Sequence, residues 1–355
     1  MINEWHSELM RSLAASTGAA VRGMHLATCA LMLLAGAACR KRGPQVVAYS
    51  SVDQVHAEPV FRVFEASSAI EVQPLFDTEE TKSTGLVNRL IAEADHPQAD
   101  VFWSGDPARV FLLVERGLVE PYVSPAATSI PETFKAADGS WTGVAGRVRV
   151  LLVNRNRVKP GEIPTSVRDL ADPRWRGQTA IANPLFGTTT MHVAAWFAAW
   201  GDSAATAFLD TLRANDVRIA SSNGEVKRLV TSGEVAFGLT DTDDANEAIS
   251  GGANVAVVYP DQDSFGALVM PTVVVLVRGA PHPEAGRQLI DYIVSPDVER
   301  SLADRAGYMA LGTPRTGLPS IRSVAAVRAM QVDYAKVADA MERIQPWLRG
   351  WVGLE

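Results

Sequence analysis

The sequence predicts an α/β protein with two lobes, each a mostly parallel sheet flanked by helices, and a ligand cleft between the lobes. Two observations support this prediction. Apolar strand-like runs alternate with segments of helical spacing along the chain. The chain also has 355 residues, which is enough for two lobes, and its 47 % hydrophobic and 21 % charged residues are typical of a globular protein.

The alternation begins with three strand–helix pairs and resumes after a long strand. The first strands are predicted at 46–50, 70–76 and 99–103, and their helices at 54–67, 85–94 and 108–117. A long strand at 142–154 leads to strands at 179–184, 217–221, 234–240, 255–260 and 272–279, and to helices near 283–305 and 323–345. From this order we predict one lobe from 45–147 with 268–315, and the other from 148–267 with 316–355.

The beginning of the chain predicts export. Residues 24–43 read MHLATCALMLLAGAACRKRG, and their apolar run is shorter than the roughly 18–20 residues that a membrane-spanning helix needs. We therefore predict a signal peptide over 1–38. The ending AGAAC resembles a bacterial lipobox, with Gly36 where a bulky aliphatic residue is usual. That resemblance implies lipidation of Cys39 and a cell-envelope anchor; the alternative is an ordinary signal peptide and a free periplasmic protein.

Composition and motifs exclude several classes of protein. The net charge of −7 argues against a nucleic-acid partner, because phosphate binding needs a surplus of Lys and Arg. Both cysteines, Cys29 and Cys39, lie near the beginning, so the body offers no disulfide and no cysteine nucleophile. The sequence contains no P-loop, HExxH, GxSxG or CxxC motif. The absence of these signatures argues against an enzyme, and we predict that the protein is not one.

Polar loops follow several predicted strands, at the sheet edge where ligands of α/β proteins bind. Three of them read YSSVDQ (49–54), WSGDPA (103–108) and DTDDAN (241–246). A fourth loop, NPLFGTTTMH (183–192), joins a strand to an apolar helix. Threonine hydroxyls and backbone N–H groups at the start of a helix favour an anion. We expect these loops to line the cleft.

The acidic loop contains more carboxylates than a helix start requires. Asp244 and Glu247 have the spacing of a capping box, so we expect Asp244 to cap the following helix. Asp241 and Asp243 are not needed for that cap, and we expect both to face the cleft. An EF-hand is excluded, because Gly252 stands where the calcium loop needs a glutamate.

Other candidate residues have structural interpretations that the sequence leaves open. Asp53 and Asp106 each precede a predicted helix and could cap it or contact a ligand. Arg147 and Arg149 alternate with apolar residues on the long strand, so both point to one face. Such a pair is more often salt-bridged scaffold than a ligand clamp.

Several stretches resemble one family closely. ADVFWSGDPARVFLLVERGLVEPY, LADPRWRGQTAIANP, GEVAFGLTDTDDA and YPDQDSFGALVMPTVVVLVRG look like a periplasmic solute-binding protein of an ABC importer, nearest to the ferric-iron-binding branch. The resemblance extends in order from about Val46 to Arg315. It implies the periplasmic-binding-protein fold, with two lobes that close over a solute and deliver it to a membrane permease with its ATPase. We expect a monomer outside the cytoplasm.

The resemblance implies a changed metal site. In the ferric binders two adjacent tyrosines hold the iron, and Thr242 and Asp243 match their positions. Asp53 matches a ligand after the first strand, and Asp106 lies beside the position of a glutamate ligand. Carboxylates are hard donors that suit iron as well as Ca²⁺, Mg²⁺ and Mn²⁺. We therefore predict Asp53 and Asp243 as metal ligands.

The resemblance also implies an anion site. Gly187, Thr188 and Thr189 match the loop that binds a synergistic anion, and Arg147 or Arg149 matches an arginine on the strand. The predicted cargo is a metal ion, with iron favoured, bound together with such an anion and without a resident cofactor. The alternatives are a small organophosphate or phosphonate and, ranked last, an exported enzyme. The predicted ligand contacts are Ser51, Asp53, Asp106, Arg149, Gly187, Thr188, Thr189, Asp241, Thr242 and Asp243.

Overall fold

The structure is a computed structural model that describes residues 43–77, 84–312 and 326–353. The predicted signal peptide, 1–38, and the predicted lipidation site Cys39 lie outside the described residues. Within the described ranges, none of the helices combines the length and the apolar character that crossing a membrane requires.

Ten strands and ten α-helices form the described part of the chain. The strands are β1 Gln45–Ser50, β2 Glu71–Phe76, β3 Val101–Ser104, β4 Val119–Glu120, β5 Thr142–Asn154, β6 Thr179–Ala182, β7 Arg218–Ala220, β8 Phe237–Asp241, β9 Val255–Val258 and β10 Val269–Val277. The helices are α1 Gln54–Ser68, α2 Thr84–Ala92, α3 Pro107–Glu115, α4 Gly187–Trp200, α5 Asp202–Ala214, α6 Asn223–Thr231, α7 Thr242–Ser250, α8 Pro283–Ile293, α9 Pro296–Ala306 and α10 Tyr334–Trp351. Short 3₁₀ helices cover Pro125–Ser129, Glu132–Phe134, Pro160–Glu162, Val167–Ala171 and Pro173–Trp175.

One continuous sheet joins all these strands in the order β2-β1-β3-β10-β5-β8-β6-β7, with β4 paired to β10 and β9 to β5. The predicted parallel pairing occurs at both ends, where β1 lies between β2 and β3 and β6 lies between β7 and β8. The central strands β5 and β10 instead run antiparallel to their neighbours. Because the sheet is continuous, the proposed lobe boundaries stay a prediction.

The long strand β5 changes partners along its length. Its first part, up to Val148, pairs with β10, and its second part, from Arg149, pairs with β8 and β9. All but one of its 13 residues are buried, as expected for a strand covered on both faces. This strand therefore connects the two ends of the sheet at the point where the arginines lie.

A bulge in β5 shapes the chain just before those arginines. Ala145 has a φ of 42°, a left-handed conformation that favours glycine, and the β5–β10 register shifts beside it. Gly146 and Met309 exchange backbone hydrogen bonds of 2.6 and 2.7 Å. These bonds hold Tyr308 against the same stretch of β5.

A glycine lets α6 approach β8 closely. A Cβ atom at Gly238 would lie 2.5 Å from Cγ1 of Val226 in α6 and 2.9 Å from the carbonyl oxygen of Ala180. The absence of a side chain there allows α6 to pack directly on the sheet. As a result Asn223, the first residue of α6, reaches Asp241 at the end of β8.

The core is covered by amphipathic helices, and α10 is one example. Its buried residues Val337, Met341, Ile344 and Leu348 recur every three or four positions and form one apolar face. That face packs against α4, and α10 also contacts α3.

Two predicted helix boundaries were wrong. The helix predicted over 283–305 is two helices, because Ser295 caps a new helix and Pro296 occupies its first position. The helix predicted over 323–345 is α10, which begins later, at Tyr334, where the carboxylate of Asp333 accepts the N–H groups of residues 335 and 336. Caps outweighed apolar spacing in both places.

Candidate ligand site at the end of β8

Asp241 is the centre of a buried polar cluster. It ends β8, is 1 % exposed, and lies opposite Arg149 in the β5–β8 register. Nη1 of Arg149 donates to its Oδ1 at 2.6 Å. The Thr188 hydroxyl and the Asn223 side-chain amide donate to its Oδ2 at 2.8 and 3.2 Å. The strand β5, the start of α4 and the start of α6 thus each supply a hydrogen-bond donor to this one carboxylate.

Arg149 is fully buried, and protein groups occupy its donors. Besides Asp241 it donates to the hydroxyls of Thr188 and Thr189 at 3.0 and 3.2 Å and to Nδ1 of His192 at 3.4 Å. Burial, aided by the nearby guanidinium, lowers the pKa of His192 well below its ordinary value, so the imidazole is neutral and can accept. Arg149 is therefore salt-bridged within the protein, which is the scaffold interpretation that the sequence favoured for the two strand arginines.

Arg147 lies two residues earlier and faces a second group of side chains. Its Nη1 is 3.6 Å from Oδ2 of Asp241 and 3.8 Å from Oδ2 of Asp243, and Nη2 donates to the Gly105 carbonyl at 2.8 Å. Its guanidinium carbon lies 5.9 Å from the ring centre of Tyr308. Burial disfavours its charge, but Tyr308, Asp243 and the nearby acids raise the pKa of Arg147 far above the ordinary range.

Of the two acids of the cluster with a raised pKa, Asp243 has the surroundings less favourable to a negative charge. Burial raises its pKa to about 8, against the opposing charge of Arg147. The carboxylates of Asp244, Asp241 and Asp53 act in the same direction as burial. Among the described residues, none donates a hydrogen bond to its Oδ1. A cation at this position would supply what the surroundings of Asp243 lack.

The three acids of this loop come close enough to share a cation. One oxygen each from Asp241, Asp243 and Asp244 lies within 4.8 Å of the other two. Asp244 accepts from the Thr240 hydroxyl at 2.9 Å and lies 3.8 Å from Nζ of Lys227. Burial, followed by the charge of Asp241, raises the pKa of Asp244 to about 6. This arrangement is a cluster of three carboxylates whose cationic neighbours are Arg147, Arg149 and Lys227.

Asp53 and Asp106 take different places. Asp53 precedes α1, yet within the described part of the chain its side chain makes no capping bond. Its charge instead acts on Asp243 and Arg147. Asp106 does cap α3, accepting the N–H of Ala108 at 2.9 Å. The capping interpretation of Asp106 is confirmed, and its contact with a ligand stays a prediction.

Ser51, Thr242 and Gly187 lie at the edge of the site. The Ser51 hydroxyl accepts the N–H of Gly105 at 3.1 Å. Thr242 is buried and accepts the N–H of Val148 at 3.2 Å, so its hydroxyl braces β5. Gly187, with a φ of 59°, begins α4 at the surface. Their roles as ligand contacts stay predictions.

The predicted cap at Asp244 was wrong. The helix α7 begins at Thr242, so Asp241 occupies the position before the helix and Asp244 lies inside the first turn. The side chain of Asp244 turns back to Thr240 instead. The strand β8 ends one residue later than predicted and leaves no linking residue between strand and helix.

Asn223, Tyr308 and His192 were missed as members of the cluster, and Arg147 was left out of the final set of contacts. Arg147 had a sequence signal, since it alternates with Arg149 on one strand. Asn223 follows a short predicted strand, at the same sheet edge as the other loops. Tyr308 is brought in by pairing with the bulged strand, which has no local sequence signal.

We expect Arg149→Met to lower the free energy of unfolding by about 3–5 kcal/mol, because it breaks the buried ion pair of 2.6 Å to Asp241 and leaves this carboxylate with Arg147 at 3.6 Å. Denaturant unfolding in chelator would measure the loss. The matched control is Arg343→Met, which breaks an ion pair to Asp202 whose side chains are 53 % and 63 % exposed. That control should cost less than about 1 kcal/mol. Equal losses would contradict the central role of Arg149.

We expect Asp243→Asn to stabilise the ligand-free protein at pH 8 and to change little at pH 4. The folded state binds this proton more tightly than the unfolded chain, so the stability from it is present below the ordinary pKa and is lost as pH rises through about 8. The gain should be about 1 kcal/mol or more, since one pKa unit corresponds to about 1.4 kcal/mol. Unfolding in chelator across this pH range checks it, with the exposed Asp297→Asn as control. A destabilised variant at pH 8 would contradict the assignment.

Comparison with known proteins identifies the family. The profile of a family described as bacterial extracellular solute-binding protein matches residues 96–337. The iron uptake protein A1 of Synechocystis sp. is 30 % identical over 80 % of each chain. A periplasmic protein of Salmonella typhi named for 2-aminoethylphosphonate binding is 26 % identical over 76 % of this chain and 80 % of that one. Iron-bound HitA from Pseudomonas aeruginosa is 21 % identical and superposes with a TM-score of 0.78 over 88 % of this chain and all of that one.

These findings confirm the predicted fold class and the predicted resemblance to solute-binding proteins. The family consists of extracellular binding proteins, which agrees with the predicted export and confirms that the chain is not an enzyme. The chain belongs to the bacterial extracellular solute-binding protein family.

Proposed function

We propose that the protein is the solute-binding component of an ABC importer, and that it captures a metal ion, with iron favoured, for delivery to a membrane permease and its ATPase. It acts outside the cytoplasm as a monomer. The metal is the cargo of the protein and not a resident cofactor.

The observation that carries this proposal is the position of Asp243. Its Oδ1 accepts no hydrogen bond from the described residues, and its pKa is raised to about 8 by burial and by its acidic neighbours. Asp53 is one of those neighbours, and Asp241 and Asp244 each bring an oxygen within sharing distance. A hard cation would relieve the repulsion between these carboxylates and would gain several oxygen ligands at once. Asp243 and Asp53 are the proposed primary ligands.

The charge of the cluster favours a cation over an organophosphate. Arg149, Thr188 and Thr189 are the donors suited to a phosphate, and all of them already bond protein groups. A phosphate would also meet Asp241 and Asp243 at short range, where like charges repel. The remaining guanidinium, Arg147, lies between the same two acids.

Iron is favoured by the relative at 30 % identity, which is named for iron uptake. A tyrosine could supply a phenolate ligand for iron, and the two tyrosines in question lie in different places. Tyr49 lies in the core and donates to Glu93 at 3.0 Å, away from the acidic loop. Tyr308 is buried beside Arg147, and burial raises its pKa well above the ordinary value. Carboxylates are therefore the proposed main ligands, and a phenolate is not required.

A second candidate is a small organophosphate or phosphonate. The Salmonella relative is named for 2-aminoethylphosphonate binding. In that case Asp243 and Asp53 would accept hydrogen bonds from an amine or from hydroxyls, and Arg147 would contact the phosphonate. Thr188 and Thr189 could contact such a ligand only if the hydrogen bonds around Asp241 were broken.

A panel of ligands separates these candidates. We expect one metal among ferric citrate, ferrous, manganese and calcium ions to raise the thermal stability of purified, chelator-stripped protein. At 100 times its dissociation constant such a ligand stabilises the folded state by about 2.7 kcal/mol. Asp243→Asn should abolish the shift because an amide cannot lose a proton to become an anionic ligand, and the exposed Asp297→Asn should keep it.

Other outcomes of the panel have equally definite meanings. A shift of undiminished size in Asp243→Asn would rule out this site. A shift with a sugar phosphate or with 2-aminoethylphosphonate in the presence of chelator would replace the metal by the second candidate.

The proposal also includes lipid attachment at Cys39, supported by the AGAAC ending of the apolar leader. We expect labelled palmitate to be incorporated into the protein in its bacterial host and to be lost in Cys39→Ala. Labelling that survives this substitution would contradict the assignment, and an exported but unlabelled protein would indicate an ordinary signal peptide.

A further inference from the structure

We infer that Asp241 is a built-in anion: its carboxylate fills the donor set at the start of α4, so the metal binds without a separate oxyanion. The consequence for the metal rests on the proposed function. The occupied donor set itself does not, and it can be tested without any metal.

The donors around Asp241 form an oxyanion site by their chemistry. Arg149 supplies a buried guanidinium, and Thr188 and Thr189 supply hydroxyls in the first turn of α4. Asn223 adds a side-chain amide from the first turn of α6. Cationic and neutral donors that converge at two helix starts would bind phosphate, carbonate or a carboxylate.

The carboxylate of Asp241 already occupies this site. Its Oδ1 accepts a hydrogen bond from Arg149 at 2.6 Å, and its Oδ2 accepts hydrogen bonds from Thr188 at 2.8 Å and from Asn223 at 3.2 Å. Both oxygens are therefore bound, as they would be in a captured small carboxylate. Because β8 is paired in register with β5, the carboxylate is fixed opposite Arg149.

The hydrogen bonds of Thr188 use the full capacity of its hydroxyl. Its hydroxyl donates to Asp241 and accepts from Arg149 at 3.0 Å and from Asn223 at 2.8 Å. A hydroxyl has one proton and two lone pairs, so nothing is left for a second anion. Thr189 likewise accepts from Arg149 and donates to Oδ1 of Asn223 at 3.5 Å.

Burial closes the site further. Arg149 is 0 % exposed, and Asp241 and Thr189 are each 1 % exposed. An incoming oxyanion would have to displace the carboxylate of Asp241 into surroundings that contain Asp243 and Asp244. The charge of Asp241 thus both satisfies Arg149 and repels a competitor.

The test is a gain of anion binding in Asp241→Asn, which keeps the shape of the side chain and removes its charge. In chelator, without metal, inorganic phosphate should bind this variant at least about tenfold more tightly than the wild type. Phosphate should also raise its melting temperature, because an external anion then neutralises Arg149. Calorimetric titration and thermal unfolding measure the two effects. Asp244→Asn is the matched control, because it removes a neighbouring charge and leaves the donor set intact; it should gain no phosphate binding.

A second arm measures metal binding with and without an added anion, and its wild-type measurement decides the question even where Asp241→Asn does not fold. The affinity for the metal identified in the ligand panel should change by less than about twofold when phosphate or carbonate is added. In Asp241→Asn the same addition should tighten metal binding by about tenfold, within the range of coupling between neighbouring ligands.

The inference is overturned if the wild-type affinity rises about tenfold with an added anion. It is also overturned if folded Asp241→Asn gains no affinity for phosphate. Absence of any metal binding by the wild type would instead remove the proposed function, and the phosphate arm would still decide the state of the donor set.

Discussion

The ion pair between Arg149 and Asp241 is the constraint on which the site depends. The two residues lie opposite each other on antiparallel strands, and both are buried. A buried charge is tolerated when it is paired and its remaining hydrogen-bonding capacity is satisfied. That requirement explains why Thr188 and Asn223 must reach the same carboxylate from two different helices. Removing Arg149 would break the shortest ion pair of Asp241 and the hydrogen bonds to Thr188 and Thr189.

The position of this pair follows from the topology of the sheet. The strand β5 pairs with β10 up to Val148 and with β8 from Arg149 onward. The hydroxyl of Thr242 accepts the N–H of Val148 at this change of partner. The bulge at Ala145 lies just upstream. The two halves of the sheet are therefore joined at the position of these charged residues. A ligand bound there can contact residues from both halves.

Two acids of the acidic loop differ in how well their surroundings stabilise a negative charge. Asp241 is neutralised by Arg149 and fully hydrogen-bonded, whereas Asp243 has a raised pKa and an oxygen that no described residue donates to. Groups with such unfavourable surroundings are concentrated at functional sites, because the ligand relieves the cost. This difference assigns the scaffold to Asp241 and the proposed metal contact to Asp243, although the two residues are neighbours in one short loop.

The sequence by itself determined the α/β class and the polar loops at the strand ends, because apolar periodicity and strand-end polarity are local patterns. The family followed from the resemblance of longer stretches to solute-binding proteins. It did not distinguish Asp241 from Asp243 and it assigned the cap wrongly to Asp244, since all three are acids at a strand–helix junction. Tertiary structure distinguished the surroundings of these acids through contacts distant in sequence: the register that places Arg149 opposite Asp241, the packing of α6 on Gly238 that brings Asn223, and the pairing with Met309 that brings Tyr308. Hydrogen bonds and charges act through space, so the partner of each carboxylate exists only once the strands are paired.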